Sequence, residues 1–133
     1  MKTIALIEKG QDSTFGIFTP NINSTIIGEG NTVEEAKADF ENSVKEIIEA
    51  YKSHGDKLPD ELMNIEFEYK YDVSAIFNEI DCINMSKFAK RIGINANLLR
   101  QYKMGDTYIS DAQKNKIEKG LHNLGKQLLT LSL

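Results

Sequence analysis

Five residues within one short helical stretch could read the edges of base pairs: Asn95, Ala96, Asn97, Arg100 and Gln101. Asparagine and glutamine amides can bond adenine bidentately, an arginine guanidinium can do the same with guanine, and an alanine methyl can touch the methyl of thymine. Lys87, Lys90, Arg91, Lys103 and Thr107 flank them and are suited to phosphate oxygens. Any one of these is an ordinary surface residue; the inference rests on the group. No comparable set exists for covalent chemistry. Asp12 falls in an expected turn, Glu34 and Glu35 at one helix start and Asp72 at another, so these carboxylates are not expected to converge on metal ions. No Gly-rich phosphate loop, His/Cys ligand cluster or nucleophile motif occurs. We therefore expect no enzyme, no metal and no other cofactor. Cys82 is the only cysteine, which excludes an internal disulfide framework and suggests a small, partly buried residue.

The elements that must position this strip can be read from Ser86 to Gly105. Phe88, Ala89, Ile92, Leu98, Leu99 and Tyr102 recur at helical spacings, Gly93 interrupts them, and Asn95 is a good N-cap. Two short helices should meet at a sharp turn in which Ala89 permits a close crossing, Gly93 takes the left-handed backbone and Ile94 anchors the linker. The alternative is a helical hairpin that only packs a core. The order of alanine, glycine, aliphatic linker, second helix and closing Gly105 resembles the XRE (Cro/repressor-type) helix-turn-helix family. That resemblance implies double-stranded DNA as a partner.

Charge is distributed unevenly along the 133 residues. Residues 1–82 hold 7 Lys against 17 Asp/Glu, or −10, whereas residues 83–133 hold 9 Lys/Arg against 3 Asp/Glu, or +6. A basic half suits phosphate, and an acidic half in the same chain suits a basic protein. No apolar run approaches the roughly 20 residues of a membrane span, and MKTIALIEKG is too soon interrupted by charge for a secretory signal. The expected location is cytoplasmic, with no membrane partner.

Residues 2–8 form an aliphatic run apolar on both faces, Gly10 to Thr14 a turn, Phe15 to Thr19 a strand stopped by Pro20, and Thr25 to Gly28 a third strand. That predicts an antiparallel meander. Thr32-Val33-Glu34-Glu35 is a capping box, and Ala36, Phe40, Val44, Ile47, Ile48 and Tyr51 mark the stripe of a helix that should lie across the sheet and fade at Ser53-His54-Gly55. Leu58-Pro59 breaks the chain before the strict alternation of Ile65 to Tyr71, a returning strand. The expected fold class is α+β, a small antiparallel sheet with one covering helix, followed by an all-α helix-turn-helix domain.

Residues 1–71 also resemble the HicB antitoxin family of type II toxin–antitoxin pairs. The resemblance is carried by Asp12 to Pro20 (DSTFGIFTP), Gly28 to Ala36 (GEGNTVEEA) and Leu58-Pro59; Thr19 between Phe18 and Pro20, and Asn21-Ile22-Asn23, depart from the common pattern. It implies a partial RNase H-like N-terminal domain and a small basic ribonuclease toxin of HicA type as partner. Phe15, Phe18 and Ile22 would supply apolar contacts to that toxin, and Glu66 and Glu68 complementary charge.

Asp72 to Ile80 reads as the first helix of the C-terminal domain, which gives boundaries of 1–71 and 72–133. Ser110-Asp111-Ala112-Gln113 opens a last helix whose stripe runs through Ile117, Leu121, Leu124, Leu128 and Leu131. Its far end and the tail to Leu133 either pack the core or pair two chains into a homodimer or tetramer. The functional expectation is an antitoxin that also represses its own operon. The alternative is a stand-alone helix-turn-helix regulator with a ligand-sensing or oligomerising N-terminal domain.

Overall fold

The computed structural model describes residues 2–10, 12–105 and 107–133, so Gln11 of the expected turn lies outside the described residues. The protein is mixed α/β. Its elements are β1 (Thr3–Lys9), β2 (Phe15–Phe18), β3 (Ile27–Gly30), α1 (Val33–Ser53), a 3-10 turn (Asp60–Leu62), β4 (Phe67–Tyr71), α2 (Val73–Glu79), α3 (Met85–Ile92), α4 (Ala96–Met104) and α5 (Asp111–Leu129). The strands form one sheet in the order β3-β2-β1-β4.

The β1–β2 and β2–β3 pairs are antiparallel, as a meander requires, but β4 runs parallel to β1. The sheet is therefore mixed, where a purely antiparallel one was expected. A parallel neighbour needs a crossover of a dozen residues or more, and the 21-residue α1 supplies it by crossing the sheet face after β3. Strand parity then sorts the side chains. Ala5, Ile7, Phe15, Ile17 and Thr19 are buried on the α1 side, beneath Val33, Ala36 and Phe40. The Phe40 ring meets Phe67 edge-on at 5.0 Å between centroids and Tyr69 at 6.2 Å, an arrangement that aromatic quadrupoles favour.

α1 lies unusually close to β3. A Cβ on Gly28 would stand 2.4 Å from the Phe40 backbone nitrogen, and one on Gly30 2.6 Å from that of Ala36. Only glycine allows this approach. The N-terminus of α1 is capped by Thr32, whose Oγ1 accepts from the Glu35 N–H at 3.1 Å. The expected reciprocal bond is displaced by one residue, because the Glu35 carboxylate accepts from the N–H of Asn31 at 2.9 Å.

The chain divides into two compact units, Met1–Glu79 and Ile80–Leu133, so the division falls after α2 and not at the expected 71/72. Ala75 is fully buried in the core of the sheet, the Asp72 N–H donates to the Ile7 carbonyl at 2.7 Å, and Lys9 Nζ donates to Asn78 Oδ1 at 3.3 Å. These ties assign α2 to the first unit. In the second unit α3, α4 and α5 share a core of Phe88, Ala89, Ile94, Leu99, Tyr102 and Ile117.

Candidate nucleic-acid interface

The α3–α4 corner is built from local bonds. Asn84 caps α3 by accepting from the Lys87 N–H at 2.9 Å. The helix ends at Gly93, whose φ of 75° is left-handed, and the Ile94 N–H returns to the Ala89 carbonyl at 3.0 Å, a common helix stop. Buried Ile94 pins the linker. Asn95 Oδ1 then accepts from the N–H groups of Asn97 and Leu98, at 2.9 and 3.3 Å, which starts α4. Gly105, φ 84°, ends it.

Helical spacing places Leu99 and Tyr102 inward and leaves Asn95, Asn97, Arg100 and Gln101 exposed, with Ala96 half-buried. Asn97, Arg100 and Gln101 thus share the outer side of α4, while Asn95 stands at its cap with its side-chain oxygen engaged by the backbone. Arg100 is held from two sides: Nη1 donates to Asn97 Oδ1 at 3.0 Å, and Nη2 donates to the Ser86 hydroxyl on α3. Ser86 has no local sequence signal for this role, since it lies 14 positions from Arg100. Gln101 Oε1 accepts from the Thr107 hydroxyl at 3.4 Å. Lys87 and Lys90 are exposed on α3, and Lys103 is half-buried. Arg91 is turned to α5, where Nη2 donates to Gln127 Oε1 at 2.8 Å. A phosphate would have to exchange that bond, so Arg91 is less available than the two lysines.

With the division after Glu79, unit 1 carries 7 Lys and 16 Asp/Glu, or −9, and unit 2 carries 9 Lys/Arg and 4 Asp/Glu, or +5. The proposed toxin contacts in unit 1 separate. Phe15 is 7% exposed within the core and cannot serve as a contact, because its odd strand position turns it under α1. Ile22 is partly buried against the same core. Phe18, on the opposite strand face, is half-buried, and Glu66 and Glu68 are exposed.

Several carboxylates have structural partners. Asp12 accepts from the Thr14 hydroxyl at 2.6 Å and the Thr14 N–H at 3.2 Å, which lowers its pKa. Asp72 accepts from Ser74 Oγ at 2.5 Å. Glu61, which carries no motif or spacing that singles it out, accepts from Ser24 Oγ, Ser24 N–H and Asn23 N–H at 2.6, 2.9 and 3.0 Å. These bonds tie the β2–β3 loop to the 3-10 turn and hold the Glu61 carboxyl below its ordinary pKa. Among the described residues no group of three or more His, Cys, Asp or Glu side chains could hold a metal ion. Cys82 is exposed, not partly buried. Among the described residues no helix is long and apolar enough to cross a membrane.

No protein-family model, curated protein or solved structure matches this chain.

Proposed function

We propose that this protein is a HicB-like antitoxin, in which unit 1 binds and silences a small basic ribonuclease encoded beside it and unit 2 represses the shared operon. The observation that carries the reading is one chain joining a sheet unit of charge −9 to a helical unit of charge +5 whose α4 exposes Asn97, Arg100 and Gln101, with Asn95 exposed at its N-cap. The α3–α4 corner supports a helix-turn-helix, with α4 as the recognition helix in the major groove. The meander, covering helix and returning strand support the RNase H-like likeness of the first unit. Exposed Leu128, Leu129 and Leu131 support pairing of two chains, and a symmetric dimer doubles the contacts of one short recognition helix.

The operator is then an inverted repeat near the protein's own promoter, with half-sites about 34 Å or a multiple of it apart. Footprinting tests this: no protected site with folded protein in excess refutes repression. Lys103→Ala should weaken binding to all sequences alike and flatten the salt dependence. The two functions should separate on truncation after Glu79, the structural division, which removes operator binding and leaves rescue from the toxin. If the 1–79 fragment folds by circular dichroism but neither co-purifies with the neighbouring gene product nor relieves its toxicity, the chain is a stand-alone regulator.

A further inference from the structure

The sheet face turned away from α1 carries apolar side chains aligned across three strands. Ile27 of β3 lies opposite Phe18 of β2, and Phe18 opposite Leu6 of β1. Ile4 shares this face by parity. Ile27 is 50% exposed, and Ile4, Leu6 and Phe18 are half-buried. Acids border the row. On one side the register reads Glu29, Gly16, Glu8, and on β4 Glu68 stands opposite Ile4. Lys70, opposite Leu6, is the one basic residue among these pairs.

We propose that this face docks a basic protein, whose apolar anchor lies on the Ile27–Phe18–Leu6 row while its cationic side chains meet Glu8, Glu29 and Glu68. The inference rests on the antitoxin reading and names the surface that reading leaves open. Charge selects the occupant. A second copy would set these carboxylates against one another within units already at −9, and nucleic acid would be repelled in the same way. An apolar centre with a charged rim is the usual anatomy of a protein interface.

Gly16 supplies an independent indication. A Cβ there would find Glu8 Cγ at 3.9 Å and the Gly28 carbonyl at 4.0 Å, ordinary contacts, and its backbone is not left-handed. Among the described residues nothing requires glycine at this strand position, where it costs stability. An unfilled position beside an exposed apolar row lets another chain approach closely.

The test uses the full chain and the basic product of the adjoining reading frame, with affinity measured by calorimetry. Phe18→Asp and the double reversal Glu8→Lys/Glu29→Lys should each raise Kd roughly 30-fold or more. Reversal of equal charge on the outer side of α1, Glu46→Lys/Glu49→Lys, should change it less than about threefold. Gly16→Leu should leave the melting temperature within a few degrees and still weaken binding at least about tenfold. Wild-type affinity in Gly16→Leu, or equal losses from the two reversals, overturns the proposal while the antitoxin reading stands. A wild-type chain that neither binds nor neutralises that product refutes the reading itself, and this inference falls with it.

Discussion

Gly120 and Gly125 lie in the same helix, five positions apart, and the same substitution should move stability in opposite directions. Ala is favoured over Gly in a helix interior by about 0.8–1 kcal/mol, so both Gly→Ala changes begin with the same gain. At Gly125 the new Cβ meets nothing within 4 Å among the described residues, and the gain should appear in full. At Gly120 it would stand 2.2 Å from Ile92 Cγ2 and 3.2 Å from Phe88 Cζ, against an ordinary contact of 3.4–4 Å. Ile92 must therefore retreat by more than an ångström, or α5 must lift from α3. Overpacking of this kind costs about 1–3 kcal/mol. The propensity gain cancels between the two variants, so their difference isolates the steric cost. At about 4–8 °C per kcal/mol for a unit of this size, Gly120→Ala should melt at least about 4 °C below Gly125→Ala. Scanning calorimetry of the full chain measures this, and Ile92→Ala should relieve the Gly120→Ala penalty in a double-mutant cycle. Equal stability of the two alanine variants refutes the close crossing of α3 and α5.

Three further outcomes follow from unit 1. Gly28→Ala should cost at least about 2 kcal/mol in denaturant unfolding, because its Cβ would meet the Phe40 backbone at 2.4 Å and no side chain there can yield. Glu61 has a folded pKa below its unfolded value, so its bonds to Ser24 and Asn23 stabilise at neutral pH and are lost as pH falls through the lowered folded pKa. The stability gap between wild type and Glu61→Gln, followed by denaturant midpoints, should hold above about pH 5.5 and shrink below the ordinary carboxylate pKa of about 4.3. Tyr69 is pushed up to about 12 by desolvation, by the charge of Glu41 and by its bond to that carboxylate, at 3.2 Å. Its contribution is present below the ordinary tyrosine pKa of about 10 and is lost as pH rises towards 12; a wild-type minus Tyr69→Phe absorbance titration should show one phenol ionising last.

What the sequence reveals and what it hides divide along the range of the interactions. The α3–α4 corner is legible because Gly93, Asn95 and Gly105 each act within a few residues, on φ or on a neighbouring N–H. The parallel pairing of β4 is not, since strand partners are chosen across the fold and an alternating strand reads the same in either direction. Phe15 and Phe18 illustrate a finer limit. In Phe15-Gly16-Ile17-Phe18 apolar residues occupy both parities, so nothing local says which phenylalanine faces α1. α2 is amphipathic and would serve either core; only its contacts with β1 settle the matter. Ser86 with Arg100, and Glu61 with Ser24, meet across 14 and 37 positions and leave no periodic trace.

The bonds around Arg100 sharpen how the reading strip would work. Asn97 Oδ1 accepts from Arg100 Nη1, and the same oxygen would be needed as acceptor if Asn97 bonded adenine bidentately. Its second lone pair could still accept from a base, but the bond to Arg100 fixes the direction in which the Asn97 amide points. Of the five guanidinium donors, one goes to Asn97 and one to Ser86, which leaves three for guanine or phosphate. On the DNA-binding reading, Arg100 contacts the base while Asn97 and Ser86 position it from α4 and α3. Arg100→Ala should then cost about 1–3 kcal/mol of discrimination at one base pair. Asn97→Ala and Ser86→Ala should lose part of that discrimination at the same base pair, and Ser86→Thr should restore it. Binding measured against operators substituted at every position separates the roles. A loss in Asn97→Ala at a position that Arg100→Ala leaves intact makes Asn97 a reader in its own right and refutes the buttressed arginine.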